Sequence, residues 1–183
     1  LTYFGDPGCD GQEDLGLHGR YSSIPARQVC DMSRWEGDER VLEITGEVEE
    51  SVLFGDKLRL ARSISTRLGA KSLRVRDTVR NLGPRPSPFT ILYHVNAGFP
   101  LLDEGAELIA SSRAVEPYDE AAASRLAEAR RFAAPDPAAP GLDYLHTMAA
   151  DREGYALAAV VNRQLARGLG LFVRFSTSTL PFL

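Results

Sequence analysis

Leu92-Tyr93-His94-Val95-Asn96-Ala97-Gly98-Phe99-Pro100-Leu101-Leu102-Asp103 reads as a strand running into a turn. In an extended chain successive side chains point to opposite faces. His94 and Asn96 then share one face, and Tyr93 and Val95 the other. A histidine beside an amide in an otherwise apolar strand is costly to bury without partners. Such a pair either satisfies a structural network or faces a ligand.

The strand is expected to start at Phe89. It follows Asn81-Leu82-Gly83-Pro84-Arg85-Pro86-Ser87-Pro88, where three prolines cannot donate to a ladder. Upstream, apolar residues alternate with Arg, Glu and Thr over 41–48, 51–54, 58–64 and 72–79, which predicts strands with one face buried and one solvated. Residues 1–16 are Gly- and Asp-rich and read as loop. Downstream, 107–110 is a short strand. The Ala-rich run 118–132 reads as about three turns of helix, or as a solvated excursion, with Asp119, Glu120, Arg130 and Arg131 placed to suit a helix dipole. A spacer over 133–140 leads to strand-like runs at 142–148, 155–162 and 170–175. There is no internal repeat. The sum is a single, mostly β domain over 1–183 with antiparallel pairing, consistent with a sandwich.

The chain has 183 residues, 44% hydrophobic and 25% charged, the composition of a globular protein. Its 21 basic and 25 acidic residues leave a net charge of −4, spread in both signs, which argues against nucleic acid or an anionic membrane as partner. No apolar run approaches the ~20 residues of a membrane span. The first residues lack the basic and apolar regions of a signal peptide, and Cys9 and Cys30 match no metal motif. A reduced pair of thiols in the cytoplasm is the expectation. The first residue is Leu1, and Phe182-Leu183 follow a Thr/Ser-rich segment without a polar tail, which reads as an internal piece of a longer protein.

Three histidines occur, His18, His94 and His146. A single histidine is more often hydrogen-bonded structure than catalyst, so company decides. In Leu17-His18-Gly19-Arg20-Tyr21-Ser22-Ser23-Ile24-Pro25-Ala26, Gly19 permits unusual dihedrals, and an extended path would point His18 and Arg20 the same way. With His94 and Asn96 this makes two imidazoles, a guanidinium and an amide, a set suited to a polyhydroxylated neutral ligand. A zinc or iron site is not expected, because the histidines are far apart with no His-x-His pair. His146 reads as structural, Trp35 as a core or rim residue, and Asp103 and Glu104 as solvated loop carboxylates.

Leu17-His18-Gly19 ahead of the β-rich body, with Tyr93-His94-Val95-Asn96 far downstream, resembles the aldose 1-epimerase (galactose mutarotase-like) superfamily, in particular its uncharacterised bacterial branch. The resemblance implies an antiparallel β-supersandwich, incomplete at the C-terminus and at the N-terminus, with a sugar site on a concave sheet face. It implies interconversion of sugar anomers by acid/base ring opening, with a small-molecule carbohydrate as partner and no cofactor. Opening the ring needs an acid for the ring oxygen and a base for the anomeric hydroxyl; an imidazole near pKa 6.5 serves as the acid. By analogy His94 is the general acid and His18 contacts a sugar hydroxyl or the ring oxygen. Arg20 and Asn96 are substrate-binding donors. The superfamily's base is a glutamate on a late strand, expected beyond Leu183, and the arginine that often precedes the histidine-glycine segment is missing here. The rival reading is a non-catalytic carbohydrate-binding or sugar-sensing β-sandwich module.

Overall fold

A computed structural model describes residues 5–9, 13–165 and 169–183. The loop expected over 1–16 falls partly on 1–4 and 10–12, outside the described residues. The backbone divides into two compact units, Leu1–His94 and Val95–Leu183.

In the first unit β1 (Gly8–Cys9) and β2 (Asp14–Leu15) form a short pair, and a single 3-10 turn covers Tyr21–Ser23. β3 (Arg27–Asp31), β4 (Arg34–Glu36), β5 (Glu39–Ser51), β6 (Lys57–Arg67) and β7 (Arg74–Asn81) then build an antiparallel sheet. Its order is β3-β5-β6-β7, with β4 also paired to β5. Leu60 lies opposite Val48 on one side and Val79 on the other, so these side chains share a face. Leu58 and Leu60 are buried there, with Tyr21, Val79 and Ile91 packed against them. The opposite face alternates charges: Arg59 donates to Glu49 from Nη2 at 2.8 Å.

Two expectations fail here, each for a local reason. The run 51–54 is not a strand. β5 ends at Ser51, and a tight turn follows, in which the Val52 N–H donates to Asp56 O at 2.9 Å and Phe54 takes φ 61°. Gly55-Asp56 was the turn signal. The strand expected over 89–97 does not form either. Asn81 turns the chain as β7 ends, its Nδ2 donating to Arg85 O at 2.6 Å and its Oδ1 accepting from Gly83 N at 2.8 Å. The prolines that follow cannot start a ladder, and no strand is described over 82–100. β3 and β4 lack clean alternation and have no strand signal in the sequence.

The second unit holds β8 (Glu107–Ala110), β9 (Ser112–Pro117), α1 (Glu120–Ser124), β10 (Tyr144–Met148), β11 (Tyr155–Asn162) and β12 (Leu169–Ser176). β12-β11-β8 make one antiparallel sheet and β10-β9 a separate pair. The helix expected over 118–132 is cut short. Asp119 caps it, Oδ1 accepting from Ala122 N at 2.8 Å, but α1 ends at Ser124, and only a 3-10 turn at Leu126–Glu128 follows. The chain then lies along β8: Leu108 N donates to Arg130 O and Phe132 N to Ala106 O, both at 2.9 Å. Tertiary backbone bonds outweigh the few tenths of a kcal/mol per residue in alanine helix propensity.

His146 on β10 is buried, and its Nδ1 lies 2.8 Å from Ser112 Oγ on β9. The imidazole therefore does structural work. Burial, and then the charge of Arg130, hold its pKa below the ordinary value. The unfolded chain takes up this proton near pH 6.5 while the folded one resists it, so stability falls as pH drops from about 6.5 through the folded pKa. Denaturant midpoints at about pH 7.5 and pH 5 should show that loss. His146→Gln, which keeps a hydrogen-bonding group but does not titrate, should flatten it.

Candidate functional site

His18 does not lie in an extended segment. His18 and Gly19 have φ of 63° and 77°, two consecutive left-handed residues, and Gly19 N donates to Gly16 O at 3.0 Å. The strand-like alternation that would align His18 with Arg20 is absent, since a tight turn replaces it. The His18 Nδ1 is shielded from solvent, and the ring sits beside a glycine whose own position is buried. Left-handed φ at a histidine is a strained choice that a turn must impose.

Arg20 leaves this turn into a pair of carboxylates. Its Nε donates to Glu13 Oε2 at 2.9 Å, and its Nη1 lies 3.5 Å from Oε1 of Glu50 on β5. Glu50 is only 1% exposed. A buried carboxylate requires such partners, so Arg20 has a structural duty irrespective of any ligand. Losing a charged hydrogen-bond partner of a buried group costs about 2 kcal/mol. Arg20→Met should therefore lower unfolding stability by roughly that amount in denaturant titrations; an unchanged midpoint would show that Glu50 does not depend on Arg20.

His94 is exposed and makes no hydrogen bond or ion pair among the described residues. With no ladder around it, its position is set by its neighbours in the chain. Ile91 packs on Leu58 and Leu60. Tyr93 donates a hydrogen bond from its hydroxyl to Asp77 Oδ2 on β7. Asp77 is 5% exposed and is gripped from β6 by Arg62, whose Nε and Nη2 donate to Oδ1 and Oδ2 at 2.8 and 2.6 Å. This two-pronged geometry is the strong form of a carboxylate–guanidinium bond. The Arg62 guanidinium also lies over the Tyr93 ring, 5.7 Å from its centroid. Asn96, two residues past His94, is exposed and lies in the second unit. Farther along, within that unit, buried Asn162 donates through Nδ2 to Pro100 O at 3.3 Å and Leu101 O at 3.4 Å.

The family profile of a domain of unknown function, DUF4432, matches residues 1–183. The chain belongs to the DUF4432 family. Among solved structures, this DUF4432 chain is similar to a "putative aldose 1-epimerase" from Klebsiella pneumoniae subsp. pneumoniae, with a TM-score of 0.91 and 29% sequence identity. The match covers 98% of this chain and 46% of that one, so the chain spans less than half the length of that relative. No curated protein sequence matches it significantly. The antiparallel, mostly β architecture of the DUF4432 chain is thus an aldose 1-epimerase-like fold. Among the described residues no helix is long and apolar enough to cross a membrane.

Asp77, Arg62, Tyr93 and Asn162 were not singled out from sequence, although two of them carry a readable signal. Arg62 falls on the parity of Leu58, Leu60 and Ile64, and Asp77 on that of Val75 and Val79. A charge on the apolar parity of each of two neighbouring strands is a buried-pair signature. The Tyr93 phenol is pushed up to about 12, first by burial and then by its bond to the Asp77 carboxylate. The folded state thus holds this proton above the ordinary value near 10, and the stability it contributes is complete below about pH 10 and lost as pH rises towards 12. Ultraviolet titration should resolve a phenolate component near pH 12 that Tyr93→Phe removes.

Proposed function

We propose that this DUF4432 chain is part of a longer carbohydrate-active protein, one mutarotase-like domain, that interconverts the α and β anomers of an aldose or sugar derivative by acid/base ring opening. The observation that carries the reading is the fold match, TM-score 0.91 at 29% identity over 98% of the chain, to a protein described as a "putative aldose 1-epimerase". The chemistry follows from what ring opening demands. A proton must reach the ring oxygen as the C1–O bond breaks, and a base must take the proton of the anomeric hydroxyl.

His94 is the general acid of this reading. Its exposure supports the role, because an acid must reach the substrate and exchange protons with water between turnovers. His18 contacts a sugar hydroxyl or the ring oxygen. Arg20 and Asn96 are ligand donors, Arg20 while also neutralising Glu50. No organic cofactor or metal enters the reaction. The protein is placed in the cytoplasm, where the exposed thiols of Cys9 and Cys30 would stay reduced.

The test uses the full-length protein. NMR exchange spectroscopy on a panel of aldoses should show anomer exchange faster than the spontaneous rate. His94→Ala should reduce kcat by about 10²–10⁴-fold, the usual worth of a general acid, without changing the melting temperature by more than a surface substitution does. No acceleration for any aldose, or full activity in His94→Ala, would overturn the proposal or the acid assignment respectively.

A further inference from the structure

His94 belongs to a stretch that no strand holds, yet a general acid has to be aimed. Within the first unit the chain beside it is fastened at Ile91, which packs on Leu58 and Leu60, and at Tyr93, whose hydroxyl bonds Asp77. The first contact is apolar and tolerates sliding. The second is directional: the phenol oxygen must meet Asp77 Oδ2, and Asp77 cannot swing, because Arg62 holds both its carboxylate oxygens from the neighbouring strand. Arg62 and Asp77 are themselves direct partners in the β6–β7 register. The setting of the sheet is thereby passed to Tyr93, and through one peptide unit to His94.

We propose that Asp77 is a positioning residue which, through Tyr93, fixes the backbone that presents His94, and that Arg62 locks Asp77 for this purpose. The inference rests on the reading of His94 as the acid only for its effect on rate. Its structural content stands independently.

Tyr93→Phe is the decisive variant, because it removes one hydroxyl and leaves the ring beneath Arg62. Asp77→Asn is the second variant, and it weakens both the phenol bond and the grip of Arg62. In full-length protein labelled with ¹³C-histidine, the His94 ring signal is identified by its loss in His94→Gln. Both variants should shift or broaden this signal while leaving that of buried His146 in place; a general loosening of the fold would move both. In anomer exchange kcat should fall at least about tenfold with KM nearly unchanged, the pattern of a misaimed group. An unmoved His94 signal and unchanged kcat in folded Tyr93→Phe would overturn the inference. If His94 moves but no aldose is turned over by the parent protein, the positioning stands and the proposed function falls.

Discussion

The contact on which this structure turns is the ion pair between Arg62 and Asp77. It sits on the same sheet face as buried Leu58 and Leu60, at the point where β6 and β7 lie directly opposite one another. A carboxylate that is 5% exposed needs hydrogen-bond partners to offset the cost of its burial. Two come from Arg62 and one from Tyr93. The requirement of one buried charge thus joins two strands to an irregular segment that has no ladder of its own.

The same pair marks where the apolar core of the first unit ends. On one side of it lie Leu58, Leu60 and Val79, packed with Tyr21 and Ile91. On the other side Ile44, Ile64 and Val75 stand in cross-strand register, yet each remains 37–48% exposed. Burial near this boundary also raises the Tyr21 phenol pKa, with the Arg62 charge opposing the shift. The aromatic hydroxyls, the guanidinium and the carboxylate therefore occupy a partly dry strip, where hydrogen bonds are stronger than in water and their geometry is correspondingly better defined.

Much of the fold was legible because β5, β6, β7, β8 and β11 obey the simple rule of alternation or of short apolar runs. What was misread shares one cause: pairing partners are not visible in a local pattern. Residues 89–97 have the composition of a strand, but the turn built by Asn81 and the prolines after it deny them a ladder. Residues 118–132 have the composition of a helix, but the edge of β8 offers 130–132 backbone partners instead. At the candidate site the histidine segments were readable as segments, whereas their conformation was not. The left-handed turn at His18-Gly19 depends on contacts such as the bond from His18 N to Gly5 O at 2.8 Å. That Arg20 also has structural partners was not legible, because Glu13 and Glu50 are distant from it in sequence.

The charge pair itself raises a question of energetics that bears on function. A half-buried guanidinium and a buried carboxylate seldom stabilise a fold more than well-packed apolar residues of similar size would. Leucine at 62 and valine at 77 would simply continue the alternation of Leu58, Leu60 and Ile64 on β6 and of Val75 and Val79 on β7. Such a sheet would lose nothing obvious in stability. It would lose the only acceptor described for the Tyr93 hydroxyl, and with it the directional contact nearest His94. An apolar contact at Tyr93 could be satisfied by many rotations of the chain, whereas an oxygen-to-oxygen bond onto a carboxylate held at both its oxygens is satisfied by few. The pair is therefore best understood as supplying geometry, with the stability of the sheet carried by the leucines beside it.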